Sequence, residues 1–94
     1  MRKHAAWITQ ADERIMEFLR DKGNHPPSAI AENLFEISPE LDYNPVYVGN
    51  RCRKLAKSGL LVNVGGGAYS ITEQGEAFLD GDLDAGDLPD PAED

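Results

Sequence analysis

Basic residues stop at Lys57, cysteine is confined to Cys52, and only His4 and His25 supply imidazole. No apolar run approaches the roughly 18 residues that read as a membrane span, and no charged start, apolar middle and small-residue cleavage site marks a signal peptide. A lone cysteine cannot close an internal disulfide, and no Cys/His spacing suits zinc. Cys52 reads instead as a small buried hydrophobe. A chain of 94 residues holds one small domain, with little room for an elaborate pocket. No Ser/His/Asp arrangement, paired buried carboxylates or metal cluster can be assembled from these residues. The expectation is therefore a cytoplasmic, non-enzymatic protein with no cofactor, no metal, no membrane partner and no small-molecule ligand.

The formal charge of -8 looks wrong for a nucleic-acid binder until it is divided along the chain. From Met1 to Leu79 there are nine basic and ten acidic residues, a net of -1. From Asp80 to Asp94 there are seven acidic residues and none basic. The acidity is largely a C-terminal feature, and residues 80–94 read as a disordered tail after a domain spanning residues 1–79. A strongly acidic, lysine-poor composition also suits a halophilic archaeon with a cytoplasm at very high salt.

The stretch that organises the chain runs from Asn44 to Leu61. Asn44 is an N-cap residue, Pro45 fits the first helical position, and Gly59 marks the stop, so a helix is predicted over residues 45–58. Val48, Cys52 and Leu55 follow the spacing of an inward apolar seam. Tyr47, Asn50, Lys54 and Lys57 point the other way, flanked by Arg51 and Arg53, and the helix carries no acidic residue. Such a helix fits the DNA major groove, where Arg and Lys reach guanine edges or phosphates and Asn pairs with adenine. Cations near a helix C-terminus also suit the macrodipole, and a basic face can be merely solvated. On this helix alone both readings stand.

Before it, Met1 to Ala6 reads as a frayed, weakly basic arm. A first helix runs from Thr9, paired with Asp12 in a capping box, to about Lys22, with Ile15, Phe18 and Leu19 inward and Gly23 at its end. Trp7 either covers the core or joins a dimer contact. His25 reads as a surface loop residue. Pro27 opens a second helix containing Ile30, Ala31 and Leu34. Phe35 to Tyr43 either prolongs it to Ile37 or forms a loop, since Pro39 bars one continuous helix. After the central helix, Leu60–Val64 and Ala68–Thr72 read as strands around a Gly65–Gly67 turn. The glycines are not a phosphate cradle, because strands rather than a helix N-terminus flank them. Thr72 and Glu73 start a last short helix with Ala77 and Phe78 or Leu79 inward.

The fold class is thus α+β, mainly α: three helices, a two-stranded wing and a short C-terminal helix, the order of a winged helix-turn-helix domain. The segments IAENL, DYNPVYVGNRCRKLAKSGLL and GGGAYSITEQGEAFLDGDLD resemble haloarchaeal winged-helix regulators of the halophage phi-H repressor-like group. More broadly the chain is similar to MarR and PadR-type regulators, in which Tyr-x-Ile/Leu-Thr-x-x-Gly leads from the second wing strand into the next helix, here Tyr69, Ile71, Thr72 and Gly75. The resemblance covers residues 7 to 84. One departure is FEISPEL, residues 35–41, which looks like an insertion between the second and third helices.

Carried over by position, the resemblance implies base contacts from Asn44, Tyr47, Asn50 and Arg51. It implies phosphate contacts from Arg53, Lys54, Lys57 and the wing at Gly65, Gly66 and Gly67. The implied activity is that of a transcriptional repressor bound to double-stranded DNA, with the alternative of a winged-helix protein-interaction module. About four phosphate contacts would lose roughly four to five decades of affinity between about 0.1 M and 2 M salt. Binding in a halophile then calls for a homodimer on a palindrome, with Trp7, the first helix or the last helix at its interface.

Overall fold

The structure, a computed structural model, describes residues 1–89. Four α-helices and a hairpin follow one another among those residues: α1 Gln10–Lys22, α2 Pro27–Ile37, α3 Pro45–Lys57, β1 Leu61–Gly65, β2 Ala68–Ile71 and α4 Glu73–Leu79, with a 3-10 turn at Ala85–Asp87.

The helix boundaries are set by local chemistry. The Thr9 hydroxyl accepts from the Asp12 amide at 3.2 Å and the Asp12 carboxylate accepts from the Thr9 amide at 2.9 Å, closing a capping box on α1. Asn44 caps α3 by accepting from the Val46 amide at 2.8 Å, with Pro45 next. At the other end of α3 the Leu60 amide donates to the Leu55 carbonyl and the Gly59 amide to the Ala56 carbonyl. This Schellman stop needs the left-handed backbone that Gly59 adopts, at φ 89°.

The inward seams meet in one core. Ile15 and Met16 of α1, Ile30 of α2, Val48, Cys52 and Leu55 of α3, and Phe78 of α4 are fully buried. Among the described residues β1 and β2 form one antiparallel sheet, with Leu61 opposite Ile71 and Asn63 opposite Tyr69, and a bulge before Gly65. β2 gains a partner on its free edge: His25 and Tyr69 exchange both backbone hydrogen bonds, at 3.3 and 3.0 Å. His25 is therefore no mere surface residue. Its half-buried ring packs edge-on against Phe18, centroids 4.8 Å apart.

Two further expectations change. The N-terminal arm is not frayed: Arg2 donates to the Leu79 carbonyl at 2.9 Å and forms ion pairs with Glu13 and Glu17. The domain does not end at Leu79, because the Ala85 amide donates to the Lys3 carbonyl and the Ala85 side chain is fully buried. Leu83, Ala85 and Leu88 thus pack on the domain, and the remainder of the expected tail, residues 90–94, lies outside the described residues. Residues 35–41 take up the expected alternative in which the second helix reaches Ile37. They add the last turn of α2 and a turn in which the Leu41 amide donates to the Ser38 carbonyl, with Leu41 packed on the core. Trp7 likewise lies half-buried against the core.

Candidate nucleic-acid interface

α3 presents its seam of Val48, Cys52 and Leu55 to the core, which leaves Asn50, Arg53, Lys54 and Lys57 on its outer side. These four line one shallow concavity of about 300 Å³. Arg53 folds back along the helix and donates to the Asn50 side-chain oxygen, so the amide and the guanidinium act as one polar unit. Lys54 is exposed and has no acidic partner among the described residues. The concavity joins donors for phosphate with an amide that can address a base edge. Tyr47, exposed at the start of α3, lies with its ring 6.2 Å from that of Tyr43.

Arg51 departs from its expected place. Its Nε donates to Asp12 Oδ1 at 2.8 Å, and its Nη2 donates to Asp12 Oδ2 at 2.7 Å and to the Trp7 carbonyl at 2.8 Å. The residue is 9% exposed and Asp12 is 0% exposed. The hydrogen bonds it donates to Asp12, opposed by burial, raise the Arg51 guanidinium above its already high range, so Arg51 stays charged. Arg51 is withdrawn from base contact: it braces α3 against α1. Asn44 is likewise occupied, since its side-chain oxygen caps the helix, although the residue remains exposed.

The wing reaches solvent through Gly65, Gly66 and Gly67, at φ 106°, 61° and 80°. This run of left-handed backbone suits glycine alone and presents main chain rather than side chain to whatever approaches. The Gly65 amide is held by the Asn63 side chain at 2.9 Å. On the outer side of β1, Val62 and Val64 are exposed.

Sequence reasoning passed over three exposed apolar residues, Val46, Val62 and Val64, and the partner of Arg51. The valines were findable. Val46 lies two residues from inward Val48, hence about 200° around the helix, and Val62 and Val64 alternate with buried Leu61. Asp12 was visible only as a cap residue.

Among the described residues no three His, Cys, Asp or Glu side chains gather as a metal site, and no helix is long and apolar enough to cross a membrane. No curated protein matches the chain. Among solved structures it is similar to the PhiH1 repressor-like protein from Haloarcula marismortui, with a TM-score of 0.80 and 36% identity over 90% of this chain and 91% of that one. The winged helix-turn-helix phage repressor family, a non-enzymatic DNA-binding family, matches residues 1–90. Helix order, wing and sequence together place the chain in that family, and it is a winged helix-turn-helix phage repressor family protein.

Proposed function

We propose that this chain is a sequence-specific repressor of transcription that binds double-stranded DNA with α3 in the major groove. The observation that carries the reading is the outer face of α3: Asn50, Arg53, Lys54 and Lys57 converge there on a helix without an acidic residue, in a chain of net charge -8. Tyr47 and Asn50 meet base edges. Arg53, Lys54, Lys57 and the main chain at Gly65–Gly67 meet phosphates on either side. Asn44 contributes through the helix end that it caps. Arg51 supports the reading helix from behind.

The repressor works in the cytoplasm of a haloarchaeon, a source supported by the acidic composition and by the Haloarcula relative. It acts as a homodimer on a two-fold site, which doubles the contacts available to so small a domain. Phe35 and Ile37 at the end of α2 are exposed, and Ile37 lines a groove with Leu41 and the α1 residues Arg14, Glu17 and Asp21, so the pair offers more uncovered apolar surface than half-buried Trp7. The same pair favours the second reading, a protein-interaction module.

Fluorescence anisotropy decides between them. The full chain is titrated with random duplex DNA and with the DNA upstream of its own gene at several salt concentrations, beside an Arg53→Ala/Lys54→Ala variant. Preference for the upstream DNA is expected, with affinity falling as salt rises. The variant should bind more weakly, with a log-log salt slope shallower by about two, since each lost phosphate contact removes about 0.9. Absence of binding by a folded protein at every salt concentration moves the assignment to a protein partner.

A further inference from the structure

Val46 is 72% exposed and stands in the first turn of α3, the end that meets base edges when such a helix lies in the major groove. No residue from Asn44 to Asn50 is charged, and Arg51, the first cation of the helix, is turned into the protein. Val48 and Gly49 face inward, so the leading end offers Pro45, Val46, the ring of Tyr47 and the amide of Asn50. The cations Arg53, Lys54 and Lys57 all attach farther along.

A major-groove edge carries one apolar group, the C5-methyl of thymine. Resting on the reading that α3 enters that groove, we propose that Val46 is a specificity-determining residue that packs on a thymine methyl, flanked by the ring of Tyr47. The operator half-site then carries thymine where the start of α3 meets it. The Tyr43 ring beside Tyr47 fixes one wall of the contact. The chemistry also suits the salt problem: three outward cations supply few phosphate contacts, whereas an apolar contact releases no counterions.

The test begins with selection from a random duplex library by the full chain at about 0.1 M and about 2 M KCl, concentrations that separate ionic from apolar contacts. The enriched duplex is then remade with each thymine replaced in turn by deoxyuridine, which differs only by the methyl. At one position or more in each half-site, deoxyuridine should weaken binding about fourfold at both salt concentrations, the value of one buried methyl-sized group. Val46→Ala should weaken binding to the thymine duplex similarly and be indifferent to deoxyuridine at that position. Arg53→Ala should keep the thymine sensitivity while flattening the salt dependence. A selected duplex without thymine sensitivity, or a Val46→Ala chain that keeps it, overturns the inference and leaves DNA binding standing. Failure to enrich any duplex at either salt overturns the DNA-binding reading and this inference together.

Discussion

Asp12 serves two elements at once, capping α1 through the Thr9 amide and accepting twice from Arg51 of α3. Taking two charges out of water is costly, and what offsets the cost here is geometry: both carboxylate oxygens and three guanidinium contacts are satisfied. Removing one partner leaves the other charge buried and alone. Asp12→Ala is therefore expected to lower stability by about 3–5 kcal/mol, a large share of the total for a small domain. Replacing both, as in Asp12→Ala/Arg51→Met, should cost clearly less than the sum of the single changes. Urea unfolding of the single and double variants measures this coupling, and simple additivity would show that the pair does not act as a unit. Cys52 illustrates the opposite case of a group that burial silences. Burial, first, pushes its thiol up to about 12, with Asp12 adding to the shift and Arg53 opposing it. The thiolate is the reactive form. At neutral pH Cys52 should resist thiol reagents in the native protein and react at the ordinary rate once denaturant unfolds it. Rapid native labelling would contradict its packing in the core.

At the scale of elements, the junction between wing and α4 is the tightest point of the fold. The Thr72 hydroxyl donates to the Gly59 and Leu60 carbonyls and accepts from the Gly75 amide, tying the end of α3, the hairpin and α4 together. A Cβ on Gly75 would stand 2.4 Å from the Leu60 carbonyl oxygen and 2.6 Å from Ile71 Cγ1. Gly75→Ala is thus expected to destabilise by about 1–3 kcal/mol despite alanine's better helix propensity, because the backbone must move. For a domain of this size each kcal/mol lowers Tm by about 4–8 °C. A thermal melt unchanged from the parent protein would show that α4 can slide away from the wing. This steric requirement gives a physical reason for the Ile-Thr-x-x-Gly pattern seen in the sequence. The same locality explains what was legible beforehand. Thr9, Asn44 and Thr72 cap their helices, Gly23 and Gly59 stop theirs, and Gly65–Gly67 turn the hairpin, because each acts within a few residues of itself. Arg51 was misplaced for the converse reason. Its position, three after Val48 and four before Leu55, already leaned inward, but an arginine reads as surface unless its partner is known. That partner lies 39 residues away and also had a local role as a cap.

Over the whole molecule, the two ends of the described chain meet through a backbone hydrogen bond and the buried Ala85, and ion pairs tie each of them to α1. Arg2 pairs with Glu13 and Glu17, its neighbour Lys3 accepts the Ala85 amide through its carbonyl, and Arg20 pairs with Asp80. Burial pushes the Glu13 carboxyl up, but the hydrogen bonds from Arg2 and then His4 outweigh it and leave the group below its ordinary value. The sign of the pH effect follows. A carboxylate depressed in the folded state contributes stability that is fully present above its unfolded range, near 4.5, and is lost as pH falls through the folded value. Acidification should therefore loosen the first residues and the Ala85 turn before the core opens. Hydrogen exchange separates the two events: the Ala85 amide, bonded to Lys3, should lose protection at a higher pH than the Leu60 amide, bonded to Leu55 in the core. Glu13→Gln removes the titrating group, so Ala85 should then exchange faster at neutral pH and respond less to acid. If instead both amides lose protection together at every pH, the termini belong to the same cooperative unit as the core, and docking through Arg2 and Glu13 is not a separate step. High salt gives an independent check, since partly buried pairs are screened less than exposed ones. The Arg2–Glu13 contact, with side chains 22% and 16% exposed, should survive salt better than Arg20–Asp80, at 36% and 58%. The terminal seam would then persist at salt concentrations that screen the exposed cations of α3.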